Sequence, residues 1–237
     1  MPAPTADPRT TTDPRTTTDP RATTDPRATR GTDTRTVQPI VLRRLNRWQA
    51  EKQREDLADL YLECRPAVPG TEFGARTGFI RHLVADARHP GFDLVLAETK
   101  TLVGFAFGVP VDRDGHWWQG FVGELPARIE QLTASGHVFA VTELAVHPYV
   151  TQPDVAGHLV ERLLSDNRSS LGAVLLRQDD RRARAGFRSR GWQEIGAVQQ
   201  SSGAALYCAL VVEVGERTPE TPGGLTHDPR TQRPAVT

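Results

Sequence analysis

The segment from His137 to Gln178 restricts the fold of this chain more than any other. It begins with an apolar run, HVFAVTELAV, that is typical of a strand, and after a short turn it continues as an apolar helix predicted over 153–168. The next apolar run, AVLLRQ at 173–178, predicts a second strand. A strand, a helix and a strand in close succession are typical of an α/β layer fold.

The residues on both sides of this segment continue the mixture of strands and helices. Further helices are predicted over 49–64, 74–89, 125–134 and 180–190, and further strands over 38–45, 92–98, 101–111, 192–198 and 204–214. The strand at 101–111 is apolar almost throughout, which indicates burial on both faces. We therefore predict an α/β domain with a mixed central sheet of about six to seven strands, flanked by about four helices.

Both ends of the chain differ from this pattern. The first 36 residues contain four copies of a six-residue unit, namely DPRTTT, DPRTTT, DPRATT and DPRATR. A proline in every unit excludes a helix, and there is no apolar face to bury. We predict a disordered repeat tail over 1–36, a single domain over 38–213, and a disordered polar tail over 214–237.

The composition argues against several classes of protein. The 29 basic and 29 acidic residues leave no net charge that would favour nucleic acid or a membrane surface. Two cysteines and seven histidines form no pattern with metal-ligand spacing, so we expect no metal. The longest apolar run is too short for a membrane span, and the first residues lack the features of a signal peptide. These features predict a cytoplasmic protein, and the dominance of arginine over lysine suggests a bacterial source.

The turn between the strand at 137–146 and the following helix has the geometry of an anion site. A helix start directs free backbone N–H groups and the positive end of the helix dipole at one point. Pro153 suits the first helical position, and Gly157 allows a ligand to approach closely. The amides predicted to remain available to a diphosphate belong to Val155, Ala156, Gly157 and His158.

Two side chains in the same turn oppose an anion. Asp154 places a negative charge there, and the branched side chain of Val155 is expected to narrow the approach to the phosphates. Asp154 is also favourable to the helix dipole in the absence of a ligand. A capped helix start therefore explains this turn nearly as well as a coenzyme site does.

Three stretches of the chain resemble the GNAT superfamily of acyl-CoA-dependent N-acyltransferases. VTELAVHP at 141–148 resembles the family's fourth strand, QPDVAG at 152–157 stands where the pyrophosphate loop is expected, and ARAGFRSRGW at 183–192 resembles the motif of the last helix. A further stretch, FGVPVDRDGHWWQG, is similar to a segment of some actinobacterial members. The chain thus resembles a divergent bacterial member of the superfamily.

The resemblance implies a GNAT-like fold, acetyl-CoA as the acyl donor, and direct transfer to an amine of a small molecule or protein. It places the coenzyme against the following residues: Leu144, Ala145, Val146, Gln152, Val155, Ala156, Gly157 and His158. Phe187 stands where the family has a tyrosine that acts as an acid, and a phenylalanine cannot donate a proton. Packing against the coenzyme and packing in the core remain the alternatives for Phe187.

Glu143 is the candidate base for removing the proton of the amine. Strand alternation predicts that it shares a face with Val141 and Ala145, where desolvation would raise its pKa. The alternative is a structural glutamate paired with an arginine. Trp117 and Trp118 are candidates for the wall of an acceptor pocket, with buried packing as the alternative.

A protein of another class explains the same sequence. The departures at Asp154, Val155 and Phe187 favour a catalytically degenerate module that binds acyl-CoA weakly or not at all and acts as a sensor or in protein interaction. A third alternative is a homodimer whose partner supplies missing groups. The arginines at 177–190 suit either the 3′-phosphate of coenzyme A or a solvated helix face, and no nucleic-acid partner is expected. The acceptor amine is not identified by the sequence.

Overall fold

Seven strands form one sheet in the computed structural model, which describes residues 39–65, 70–165, 167, 169–200 and 205–215. The strands are β1 (Val41–Leu45), β2 (Asp93–Glu98), β3 (Leu102–Pro110), β4 (Val138–Val146), β5 (Leu171–Arg177), β6 (Gln193–Gln199) and β7 (Leu206–Glu213). Their order is β1-β2-β3-β4-β5-β7-β6. The predicted tails at 1–36 and 214–237 lie outside the described residues, apart from Val214 and Gly215.

Six helices accompany the sheet in the described ranges. They are α1 (Arg47–Lys52), α2 (Arg54–Glu63), α3 (Glu72–Ala87), α4 (Ala127–Ala134), α5 (Val155–Ser165) and α6 (Arg181–Arg188). The mixed α/β sheet is confirmed. The helices outnumber the expected four, partly because the predicted helix at 49–64 is two helices that meet at Gln53. None of the helices described is long and apolar enough to cross a membrane.

The two faces of the sheet are covered by different helices. Side chains of α5 and α6 pack with Val95, Ala106 and Phe139 on one face. The intervening strand residues, such as Leu96 and Phe105, pack with α2 and α3 on the other face. Because adjacent residues of β3 enter opposite cores, this strand is buried on both faces, as its apolar run indicated.

A β-bulge interrupts β4 in the middle of the strand. Gly108 of β3 pairs with Val141 and Phe107 pairs with Glu143, so the residue between them, Thr142, has no opposite partner on β3. The Thr142 hydroxyl donates to the Phe107 carbonyl, 3.3 Å away. An extra residue in one strand reverses the alternation of its side chains beyond that point.

The bulge corrects the predicted orientation of Glu143. Before it, Val141 packs in the core beneath α5. After it, Leu144 and Val146 turn toward that core and Ala145 toward α2 and α3. Glu143 therefore shares its face with Ala145 but not with Val141, because simple alternation over 141–145 holds only for a strand without a bulge.

Candidate functional site

The parallel pair formed by β4 and β5 separates in the middle of the sheet. The two strands pair from Val138 with Leu171 to Val141 with Val174, and within the described residues the pairing ends there. Both strands continue, β4 to Val146 and β5 to Arg177, each still paired with its other neighbour. An α/β sheet tends to bind ligands at the carboxyl ends of its strands, where neighbouring connections diverge. The gap between β4 and β5, with the start of α5 beside it, is therefore the candidate site.

The start of α5 is capped by Asp154. Its backbone φ is 56°, in the left-handed region, and its carboxylate accepts a hydrogen bond from the Gly157 N–H at 3.1 Å. The Asp154 carbonyl accepts another from the His158 N–H at 3.0 Å. The expectation of four available amides was therefore wrong for Gly157 and His158. Only the N–H groups of Val155 and Ala156 remain in the first turn, where a helix provides no acceptor of its own.

The side chain of Val155 faces the core and not the expected position of the phosphates. It is 5% exposed and packs in the core beneath α5 with Leu159 and Trp192. The expectation that it narrows the approach to the phosphates was wrong, because the first turn of α5 directs this side chain inward. The obstruction at this position comes from Asp154 instead.

Arg190 holds the Asp154 carboxylate in place. Its Nε donates to Asp154 Oδ1 at 2.6 Å, its Nη2 contacts the same oxygen, and its Nη1 donates to the Gly186 carbonyl. The guanidinium holds the pKa of Asp154 below its usual range. A Cβ at Gly157 would collide with both side chains. This Asp154–Arg190 clasp therefore occupies the space above Gly157 in which the diphosphate was expected.

Most of the other arginines near α6 are also paired. Arg184 and Arg188 both contact the Glu194 carboxylate, and Arg177 Nη2 lies 2.7 Å from Asp179 Oδ2. These ion pairs occupy guanidinium N–H donors that the 3′-phosphate of coenzyme A would require. They favour the solvated, ion-paired helix face over a preformed phosphate site at 177–190.

Glu143 lies beside the separation of β4 and β5, on the face covered by α3. Its side chain is 22% exposed, and burial raises the pKa of its carboxyl. The His82 Nδ1 atom of α3 lies 3.9 Å from Glu143 Oε2. His82 is thus a neighbour of Glu143 that the sequence did not reveal, and the charge of Arg65 also acts on this carboxylate, as the alternative of an arginine partner expected.

His82 also contacts a second carboxylate. Its Nε2 lies 3.2 Å from Asp86 Oδ2, one turn later on α3, and this contact raises the pKa of the imidazole. Asp86 Oδ2 is buried, and within the described part of the chain its contact with His82 Nε2 is close but outside strict hydrogen-bond geometry. A histidine and an aspartate four residues apart on a predicted helix were the signal that could have revealed this pair.

Residues of α2 and its C-terminal end complete the surroundings of Glu143. Tyr61 stacks on Phe79 with ring centroids 4.4 Å apart, and burial together with the Glu143 charge raises its pKa. Burial, aided by Glu63 and Glu143, raises the pKa of the Cys64 thiol to about 11. A thiol with that pKa stays protonated at neutral pH, so Cys64 is a poor nucleophile for an acyl-enzyme.

The aromatic candidates lie in the cores. Trp118 is buried and its Nε1 donates to Thr133 Oγ1 at 3.0 Å, while Trp117 packs partly buried against the same cluster beside α4. Phe187 is buried and meets Trp192 edge-on, with ring centroids 5.0 Å apart. For Trp118 and Phe187 the structure favours the packing alternative over a ligand contact, because both rings are used in the cores. Across the described ranges no group of three or more acidic, histidine or cysteine side chains could hold a metal ion.

Comparison with known proteins identifies the fold. No family model matches the sequence, and no curated protein matches it either. A solved protein of Desulfovibrio desulfuricans, assigned to the GNAT family of acetyltransferases, matches with a TM-score of 0.51 at 15% identity, over 75% of this chain and 100% of that one. A solved protein of Pyrococcus horikoshii matches with a TM-score of 0.54 at 13% identity, over 75% and 99%. The protein therefore has the GNAT fold, which confirms the fold implied by the sequence motifs.

Proposed function

We propose that the protein is an acyl-CoA-dependent N-acyltransferase that transfers an acetyl group directly from acetyl-CoA to an amine of a small molecule or protein. The observation that carries the proposal is the position of Glu143. A half-buried carboxylate with a raised pKa lies beside the point where two parallel strands separate, in a fold shared with a protein assigned as an acetyltransferase. A raised pKa makes a carboxylate a stronger base for taking a proton from an amine.

The separated strands supply the surface for the coenzyme in this proposal. The backbone of Leu144, Ala145 and Val146 borders the gap and, among the described residues, is not paired with β5, so this edge of β4 offers backbone groups to an extended ligand. The Leu144 N–H also contacts the Glu143 carboxylate. The diphosphate would meet the amides of Val155 and Ala156 at the start of α5, next to Gln152, Gly157 and His158. The Asp154 carboxylate must first move away from the start of α5. Arg190 would then be released from its ion pair with Asp154 and could contact the phosphates.

The chemistry requires one base and a tolerable leaving group. Glu143 takes the proton of the amine, directly or through a water molecule, as the nitrogen attacks the thioester carbonyl. The C–S bond breaks and coenzyme A leaves as a thiolate, which then takes a proton from solvent. Because the pKa of Cys64 is about 11, the residues around Glu143 support direct transfer rather than a cysteine-bound acyl intermediate.

A second function is favoured by the Asp154–Arg190 clasp. The expected position of the diphosphate is already occupied by the Asp154 carboxylate. This carboxylate accepts a hydrogen bond from the Gly157 N–H and forms an ion pair with Arg190. A module that has kept this fold and lost its coenzyme would show the same features. Such a protein would act as a sensor or in protein interaction rather than as an enzyme.

An assay of acyl transfer separates the two functions. Release of free coenzyme A thiol is measured with acetyl-CoA and a panel of primary amines and peptides, for the wild-type protein and for Glu143→Gln. A matched control is Glu98→Gln, which removes a carboxylate of β2 that pairs with Arg43. Transfer that is lost only in Glu143→Gln supports the enzyme, whereas no transfer to any amine by the wild type supports the second function.

A further inference from the structure

A chain of two contacts joins Glu143 to side chains of α3, first to His82 and then from His82 to Asp86. The His82 side chain is 40% exposed, whereas those of Glu143 and Asp86 are only 22% and 17% exposed. We propose that His82 is a positioning residue that carries the proton of Glu143 to solvent, with Asp86 fixing the tautomer of its imidazole. This inference rests on the proposed function, since it assigns the route by which the base of that reaction is regenerated.

The geometry selects one tautomer of His82. Its Nε2 lies 3.2 Å from the Asp86 carboxylate, nearer than Nδ1 lies to Glu143, so the negative charge of Asp86 favours the neutral ring with its hydrogen on Nε2. Its Nδ1 then presents a lone pair toward Glu143 Oε2, 3.9 Å away. That distance exceeds a hydrogen bond by about 1 Å, so a small side-chain rotation is needed for transfer. The ring also packs edge-on against Phe107, with centroids 5.7 Å apart, which limits other orientations.

A half-buried base is regenerated faster with such a route. Once Glu143 has taken the amine proton, burial favours the neutral acid and slows its return to the carboxylate. The acid proton passes to Nδ1 of neutral His82, which becomes an imidazolium held between two carboxylates. The imidazolium then loses its Nε2 proton to water, and exchange with water moves the remaining proton from Nδ1 back to Nε2. Glu143 is again a carboxylate and His82 is again neutral, so the net change is one proton moved from the amine to solvent.

The charges around His82 agree with this sequence of states. Asp86 of α3 and Glu143 of β4 both favour the imidazolium. Tyr61 and Cys64, from α2 and its end, have raised pKa values and are neutral near pH 7, and Arg65 favours the carboxylate of Glu143. His82 accepts a proton only when it is neutral. The rate of acyl transfer should therefore rise as the pH increases through the pKa of the coupled His82–Glu143 pair, which lies above about 6.5.

The test begins with the protein without ligand. The ring resonances of His82 are titrated by NMR in the full-length wild type, in Glu143→Gln and in Asp86→Asn, with the assignment made from His82→Gln. We expect the apparent pKa of His82 to fall in both variants. A matched control is Asp59→Asn, which breaks an exposed pair with Arg76 and should leave the titration unchanged. An identical His82 titration in the wild type and Glu143→Gln would overturn the proposal.

Kinetics then separate the relay from the reaction itself. His82→Gln should lower the transfer rate at pH 7 by on the order of tenfold or more. Asp86→Asn should move the rising limb of the pH–rate profile to lower pH by the same interval as the His82 titration. If acyl transfer is lost in Glu143→Gln but the pH–rate profile is the same in the wild type, His82→Gln and Asp86→Asn, the relay alone is refuted. Coupled titration with no transfer to any amine would refute the proposed function, and the relay step with it.

Discussion

Replacing Asp154 with glycine should tighten the binding of acetyl-CoA by a factor of about 5 to 150. In the proposed complex the diphosphate meets the first amides of α5, where the Asp154 carboxylate now caps Gly157. The wild-type protein must break this cap and the ion pair with Arg190 before the coenzyme can occupy the site. Glycine removes both contacts in advance, so the free energy of opening is no longer subtracted from binding.

The magnitude follows from the two contacts that are lost. The side chains of Arg190 and Asp154 are 34% and 46% exposed, and an ion pair so exposed contributes about 0.2–1 kcal/mol. A helix-capping side chain contributes about 0.5–2 kcal/mol. Together they give about 1–3 kcal/mol, and each 1.4 kcal/mol corresponds to about tenfold in affinity. The fold itself should change little, because glycine adopts the φ of 56° at this position without strain.

Calorimetric titration with acetyl-CoA at moderate salt measures the effect. Asp154→Asn keeps a capping side chain and removes the charge, so it should give an intermediate gain. Arg190→Ala added to Asp154→Gly should reduce the gain, because the released arginine then no longer contacts the phosphates. Asp59→Asn, a matched loss of an exposed aspartate on α2, should change nothing. Equal affinities of the wild type and Asp154→Gly would refute the view that the clasp obstructs the site.

Three further predictions concern Glu143 and its neighbours. Glu143→Gln should lower turnover by about 10²–10⁴-fold while the dissociation constant for acetyl-CoA changes less than about twofold, and unchanged turnover would exclude it as the base. Cys64, with a pKa of about 11, should react with iodoacetamide at pH 7.5 about 100-fold more slowly than free cysteine, as followed by mass spectrometry; equal rates would contradict the raised pKa. The raised pKa of His82 means that its contribution to stability is complete below about pH 6.5 and lost as pH rises through the folded-state pKa. The difference in unfolding free energy between the wild type and His82→Gln should therefore shrink over that range, and a constant difference would contradict it.

The elements of the fold were largely predictable because their signals are local. The apolar run at 101–111 predicted a strand buried on both faces, and β3 is such a strand. The motif ending in Trp192 and the strand ending in Val146 carried the resemblance to GNAT proteins. The split between α1 and α2 was missed, although Asn46 and Gln49 form a capping box that begins α1.

The site was less predictable because its contacts join distant parts of the chain. The bulge at Thr142 depends on the pairing of β4 with β3, and it reversed the face of every residue beyond it. Arg190 lies 36 residues from Asp154, so the clasp leaves no local signal. His82 reaches Glu143 only because α3 packs against this face of the sheet. Trp118 was a candidate for a pocket wall and Phe187 for packing against the coenzyme, but a large aromatic ring serves equally well in a core, and both rings are buried.

The most direct test of the proposed function is the calorimetric titration of the wild-type protein with acetyl-CoA. In this proposal acyl-CoA binds where β4 and β5 separate, once the clasp has opened. We predict saturable binding of one acetyl-CoA per chain with a dissociation constant below about 1 mM, and weaker binding as salt screens the diphosphate. No measurable binding at millimolar acetyl-CoA would contradict the claim, and it would identify Asp154 as the permanent occupant of a former coenzyme site.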